Sequence, residues 1–307
     1  MKRLTNGPGA AFDVHQHLWT ANLVAALRAR RRPPCLEAWR LHLEGEPPFE
    51  VDPAAHDPSA RAELARQDGA AVVVLGPSSP LGIEWLAPDE AAPLLDAYHD
   101  GALALGEPFA VWATAGLREI DANGLRRRLQ QGCVGLQLPA DAVADEAGYE
   151  RCSPLLRVLE EFGRPLFVHA GQAGAASRSE PGWWPALVPY VEQMHRAWFA
   201  HRAWGRVRHP GLRVCFAMLA GLAPLHAERL EARGGGRLVF DPCTFLETSS
   251  YGPRAIDATV RVVGIDPLVH GSDRPYASPC HPDLGPSAVR AMISSNPARL
   301  LGLPTGG

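Results

Sequence analysis

The chain has 307 residues, and its 30 Lys and Arg against 33 Asp and Glu leave a formal charge of −3, with no basic excess to hold nucleic acid. With 46% hydrophobic and 21% charged residues it falls in the globular range, and a chain of this size buries about three quarters of its unfolded surface without needing a disulfide or metal staple. Residues 1–307 are therefore expected to form a single domain.

The first segment, MKRLTNGPGAAFDVHQHLW, is basic but lacks the apolar run of a secretory signal, and no later stretch approaches the roughly 18 apolar residues of a membrane span. Cys35, Cys133, Cys152, Cys215, Cys243 and Cys280 are scattered without CxxC spacing. A cytoplasmic protein with reduced thiols, acting away from membranes, is the expectation.

Short apolar runs recur at 12–15, 71–75, 109–113, 134–138, 166–169, 213–217, 238–241 and 268–271. Segments with helical content, such as ARAELARQDG, DEAAPLLDAYHDGALALG and CSPLLRVLEEFG, separate several of them. Buried strands alternating with helices imply parallel pairing, because parallel neighbours need crossover connections. Eight such units predict an α/β fold, a distorted (β/α)8 TIM-type barrel. The doubly wound sheet is the rival, disfavoured because no GxGxxG turn follows an early strand. Residues 18–52 and 171–209 read as lid insertions after strands 1 and 5, over the catalytic face. Trp183, Trp184, Trp198 and Trp204 in the second insertion are expected to pack against the mouth or against a second copy in a homodimer.

His15 and His17 end the first strand. Residues i and i+2 of a strand point the same way, so two imidazoles at this spacing can converge on one ion, although a partly exposed polar strand end would look the same. His169 ends LFVH and Asp273 follows LVHGS, again at strand ends. A closed barrel would bring all four to one mouth.

The ordered set FDVHQH, LFVHAG, HGSDRPY and SSNPARLLGL resembles the amidohydrolase superfamily along essentially the whole chain. The likeness is to its amidohydrolase-related branch, which includes relatives similar to aminocarboxymuconate-semialdehyde decarboxylase. The resemblance implies a metal-bearing distorted barrel with His15, His17, His169 and Asp273 at the positions of the usual ligands. Two departures bear on mechanism. Gln137 stands where binuclear members place a bridging lysine or glutamate, so one metal ion is expected. Met218 stands where many relatives have a histidine, and a thioether neither carries a proton at neutral pH nor replaces imidazole on a hard metal.

His270, on the eighth strand, and His226 could take over the missing imidazole's role, and His270 is the one carried forward as catalytic beside Asp273. Arg274 and Arg118 are candidates for binding a substrate carboxylate, since guanidinium meets carboxylate through two hydrogen bonds. Zinc suits three imidazoles and a carboxylate first, with manganese or iron as alternatives. The leading expectation is a mononuclear hydrolase of a small amide, ester or lactone, with a metal-bound water as nucleophile and Asp273 as base. The first alternative is non-oxidative decarboxylation of a small aromatic or unsaturated carboxylic acid. The second is a catalytically silent small-molecule binder.

Overall fold

The computed structural model describes residues 9–174, 180–280 and 282–304, so the basic segment at 1–8 lies outside the described residues. Strand β1 (Ala11–Gln16) is followed by helix α1 (Ala21–Ala29) and by a small antiparallel sheet of β2 (Cys35–Glu37), β3 (Arg40–His42) and β4 (Phe49–Glu50). Then come β5 (Ala70–Leu75), β6 (Phe109–Ala113), β7 (Gly135–Pro139), β8 (Leu166–His169), β9 (Val214–Phe216), β10 (Thr244–Glu247) and β11 (Leu268–Val269). With β1 these seven form one eight-stranded sheet in chain order, every neighbouring pair parallel. The sheet curls back on itself: Val14 N donates to His270 O at 3.0 Å, Asp273 N to His15 O at 2.8 Å and His17 N to Arg274 O at 2.7 Å. The result is the (β/α)8 barrel that the alternation predicts.

The crossover helices begin where the sequence supplies caps. In α2 (Pro58–Gln67), Asp57 accepts from Ala60 N at 2.6 Å with proline in the first turn. Helix α3 (Pro88–Ala104) also starts on proline. In α4 (Ala122–Gln131) and α5 (Glu146–Phe162), Asp121 and Asp145 each accept at 2.8 Å from the amide three residues on. Helix α5 stops at Gly163, which takes the left-handed conformation at φ 58°.

Large rings fill the barrel beneath its mouth. Trp112 of β6 stacks on Phe167 of β8 with ring centroids 5.3 Å apart, and Trp112 Nε1 crosses the barrel to donate to Val14 O at 2.9 Å. Gly135 on the neighbouring strand makes room for this indole, since a Cβ there would lie 2.5 Å from Trp112 Cζ3. Phe167 also meets the His15 ring edge-on at 5.0 Å, so the floor that packs the core supports the first histidine of the site.

One expected strand is displaced. Residues 238–241 are irregular, with Val239 74% exposed, and the seventh barrel strand is Thr244–Glu247. The reason is Asp241, whose Oδ1 accepts from Cys243 N at 2.8 Å and whose backbone carbonyl accepts from Thr244 N at 3.0 Å, turning the chain just before the strand begins. The second insertion carries α6 (Trp184–Leu187) and α7 (Pro189–Ala200). Of its tryptophans, Trp198 is buried against Phe216 and Phe240, Trp184 and Trp204 are half-buried, and Trp183 is 59% exposed. Among the described residues no helix is long and apolar enough to cross a membrane.

Candidate metal centre

His15, His17, His169 and Asp273 meet at the carboxyl ends of the strands, with one ligand atom from each lying within 4.8 Å of all the others. The pleat of β1 puts His15 and His17 on one side, and β8 delivers His169 from across the mouth. Asp273 follows β11 with φ +56°, a left-handed conformation that is costly for a residue with a Cβ. Two residues lining the adjoining cavity, Met218 (φ +53°) and Ser250 (φ +64°), share this conformation. Strain of this kind persists only where surrounding structure over-determines it, and it concentrates at functional sites.

Each imidazole is oriented by a second contact. His15 Nδ1 meets Glu247 Oε2 at 3.0 Å, His17 Nδ1 meets Gly76 O at 3.1 Å and His169 Nδ1 meets Ala170 O at 2.7 Å. Carbonyl oxygens only accept, so Nδ1 of His17 and His169 carries the proton, and Nε2 is left with a free lone pair. The carboxylate imposes the same tautomer on His15. Nε2 of His15 and of His17 then face each other at 3.1 Å, and both face Asp273 Oδ1, at 3.5 and 3.2 Å. Lone pairs that close repel unless a cation lies between them. Donors about 2.1 Å from a common ion at tetrahedral or octahedral angles would be about 3.0–3.4 Å apart, close to the three spacings among His15, His17 and Asp273. Asp273 Oδ1 is buried without a hydrogen-bond partner. The donor set thus fits one metal ion.

Each member of the cluster shifts the ionisation of the others, and a bound cation would replace any proton that the carboxylates hold on His15. Burial opposes charge on His15, yet Glu247 and Asp273 overcome it and raise its pKa. Burial, then the neighbouring His15 and His17, push His169 down to about 3. For Asp273, burial would raise the pKa, but the three histidines outweigh it and hold the carboxyl well below its usual range.

Glu247, at the end of β10, escaped the sequence reading. It is fully buried, accepts from Ser249 N at 2.5 Å, Ser249 Oγ at 2.8 Å and Met218 N at 3.3 Å, and so presents a fixed carboxylate to His15. Gly271 leaves the space, since a Cβ there would lie 2.3 Å from Glu247 Oε1. The signal in the sequence is a carboxylate closing the apolar run in TFLETSS, masked by the apolar run six residues earlier that reads as the strand.

The remaining site candidates lie elsewhere. His270 uses its backbone to join Val14 and Met292; its half-buried ring belongs neither to the cluster nor to the cavity lining. Arg274 Nη1 reaches away to Asp68 Oδ2 at 2.6 Å. Arg118 is exposed in a separate cleft of about 460 Å³ between α3 and α4. Neither guanidinium lines the cavity at the cluster. Gln137 is buried behind Gly76, donating to Pro77 O at 2.7 Å and Ser79 Oγ at 3.0 Å. His226 is an exposed ring edge-on to His195.

His17, His169 and Asp273 open into a cavity of about 350 Å³. Leu41, Leu43 and Phe49 from the first insertion and Leu187, Tyr190 and Val191 from the second form much of its wall, together with Trp19, Leu81 and Met218. Glu46, between β3 and β4, also lines it and accepts from the backbone of Ala173 beyond β8; burial raises its pKa despite that bond. Among the described residues no lysine or arginine lines this cavity.

The family model described as amidohydrolase matches residues 12–303. The chain belongs to that family, as its motifs suggested. Among curated protein sequences none matches significantly. Among solved structures, the IDCase of Metarhizium anisopliae is similar with a TM-score of 0.74 at 17% identity, over 95% of this chain and 97% of that one. The 5-carboxyvanillate decarboxylase LigW of Sphingomonas paucimobilis gives 0.74 at 16%, over 96% and 99%. A dihydroxybenzoic acid decarboxylase from a Polaromonas species, solved with manganese and the inhibitor 2-nitroresorcinol, gives 0.65 at 14%, over 95% and 97%. At these identities the likeness concerns the fold.

Proposed function

We propose that the chain is a divalent-metal-dependent, non-oxidative decarboxylase of a small aromatic or unsaturated carboxylic acid. The observation that carries this reading is a four-donor cluster opening into an apolar cavity whose described walls hold no cation. His15, His17, His169 and Asp273 would hold the ion. When bound, it would anchor the substrate carboxylate and a neighbouring oxygen, a task otherwise left to an arginine. Manganese is the first ion to load, ahead of the zinc suggested by ligand type alone, because it occupies the Polaromonas neighbour.

The chain's own groups supply the rest. Asp273 Oδ1 faces the histidines while Oδ2 faces the Ser250 hydroxyl at 3.5 Å. Oδ2 can accept the proton of a substrate hydroxyl and deliver it to the ring carbon that carries the carboxylate. The bond from that carbon to the carboxylate then breaks, its electron pair returns to the ring and carbon dioxide leaves; overall one proton is taken from solvent. Leu41, Leu43, Trp19 and Leu81 keep water from the carboxylate, an environment that favours the neutral product. Glu46 makes a second substrate anion unfavourable, so a single carboxylate is expected on the molecule.

This reading ranks above the hydrolysis expected first. Expelling an amine or alkoxide calls for a proton donor at the leaving group, and the end of β9 offers only the Met218 thioether. Decarboxylation needs one proton carrier. The test is turnover of mono-carboxylated phenols in deuterium oxide by the manganese-loaded protein. One deuterium at the carbon that held the carboxylate is expected; turnover confined to esters, amides or lactones would overturn the proposal.

A further inference from the structure

Every neighbouring strand pair around the barrel is joined by a ladder except the last, where β11 meets β1 through a single isolated bridge, Gln16 to Arg274, and three backbone hydrogen bonds. Three of the four proposed metal donors straddle this seam: His15 and His17 on one side, Asp273 on the other. Beneath it lies Arg61 of α2, only 3% exposed. Its Nη1 donates to His17 O and to Ala55 O, both at 3.0 Å. Its Nη2 donates to Arg274 O at 3.3 Å and to the Gln16 side-chain carbonyl. Gln16 Nε2 donates in turn to Asp13 Oδ2 at 2.6 Å, and Asp13 Oδ1 accepts from Ser272 N at 3.0 Å and His15 N at 3.2 Å. Asp13, Gln16 and Arg61 thus form one buried chain in which a cation and an anion compensate each other through an amide, and every link touches residues next to a metal donor.

If the seam had only to be filled, apolar side chains would do as well or better, because burying an ion pair rarely adds net stability. A guanidinium adds fixed directions: its planar fork holds carbonyls on both sides at set angles, which an ammonium cannot reproduce. From this geometry we infer that Arg61 is a positioning residue, setting the spacing of His17 and Asp273 across the barrel seam and thereby the affinity of the site for its metal. The inference rests on the metal-site reading above and is independent of the reaction catalysed there.

The test uses Arg61→Met, which removes the fork, and Arg61→Lys, which keeps the charge without it. Manganese dissociation constants are measured by competition with a chelator, the absorption spectrum of the cobalt-loaded protein reports ligand geometry, and melting of the metal-free proteins reports the fold. Weakening of manganese binding by at least about tenfold is expected in both variants, the scale found for residues that orient metal ligands, with an altered cobalt spectrum in Arg61→Lys while its metal-free form still melts cooperatively. Wild-type affinity and spectrum in a folded Arg61→Lys protein would overturn the inference. So would failure of both variants to fold, which would make Arg61 a stability residue. If the unaltered protein bound no metal, the metal-site reading itself would fall.

Discussion

Replacing Glu247 by glutamine preserves shape while removing the negative charge and one of the two acceptor atoms that His15 and its neighbours face. The carboxylate accepts on Oε2 from His15 Nδ1 at 3.0 Å, Ser249 Oγ at 2.8 Å and Met218 N at 3.3 Å, and on Oε1 from Ser249 N at 2.5 Å. An amide oxygen can keep only one of these sets. The better choice retains Oε2 and turns the NH2 group toward Ser249 N, setting donor against donor in a fully buried site at a cost of about 1–3 kcal/mol. The charge-assisted bond to His15 weakens as well, and loss of such an orienting partner reduces metal affinity about 10–100-fold, or about 1.4–2.7 kcal/mol. Chelator competition should therefore show weakened manganese binding by Glu247→Gln. Melting of the metal-free variant should fall by several degrees, at about 2–4 °C per kcal/mol for a chain near this size. Undiminished metal affinity in a folded Glu247→Gln protein would refute the argument that Glu247 fixes the His15 tautomer.

Three further outcomes follow from the same geometry. The double change His15→Ala, His17→Ala should abolish stoichiometric metal binding while circular dichroism still reports a folded chain, because the Trp112 and Phe167 floor does not depend on the ion; a random-coil spectrum would contradict this. Asp273→Asn should abolish turnover, whereas His270→Asn should leave both metal content and kcat near the starting values, since that ring stands away from the cavity; a large fall in kcat for His270→Asn would restore it to the mechanism. Acid should destabilise the metal-free protein. His56, His99 and His201 are held neutral chiefly by burial, at about 4, 4 and 3, so the unfolded chain binds up to three more protons there as pH falls below 6.5. Glu84, pushed up to about 7 by burial, works oppositely down to about pH 4.5. Near pH 5.5 these four groups give a net slope of nearly two protons, about 2.5 kcal/mol per pH unit, which fades toward zero by pH 7, so denaturant midpoints should report about 2 kcal/mol less stability at pH 5.5 than at pH 7; equal midpoints would refute the assignment of buried neutral histidines.

Much of the site could be read from order and spacing. The His15 and His17 pair needs only the two-residue pleat, and His169 needs only a strand that ends where LFVH meets glycine. The parts that stayed hidden depend on directions in space. Arg118 and Arg274 have the chemistry to bind a carboxylate, but one faces another cleft and the other turns to Asp68. Glu247 lies 232 positions from the ring it orients, behind an Asp241 turn that moved the strand. The residue at 218 is visibly anomalous in sequence, yet nothing there announces the left-handed run from Met218 to Leu222, with φ between 49° and 66°, that carries it along the cavity wall. Arg61 reads as an ordinary charged residue of a surface helix until the barrel seam closes over it.

The most direct test of the account is carbon release measured against metal. The protein is stripped with chelator, reloaded with one equivalent of manganese, and incubated with a panel of phenolic monocarboxylic acids labelled with carbon-13 at the carboxyl group. Labelled carbon dioxide or bicarbonate is expected from at least one acid, produced by the loaded protein, lost on chelation and absent in Asp273→Asn. A loaded protein that releases no label from any of them, yet hydrolyses an ester, amide or lactone with the same dependence on metal and on Asp273, would contradict it.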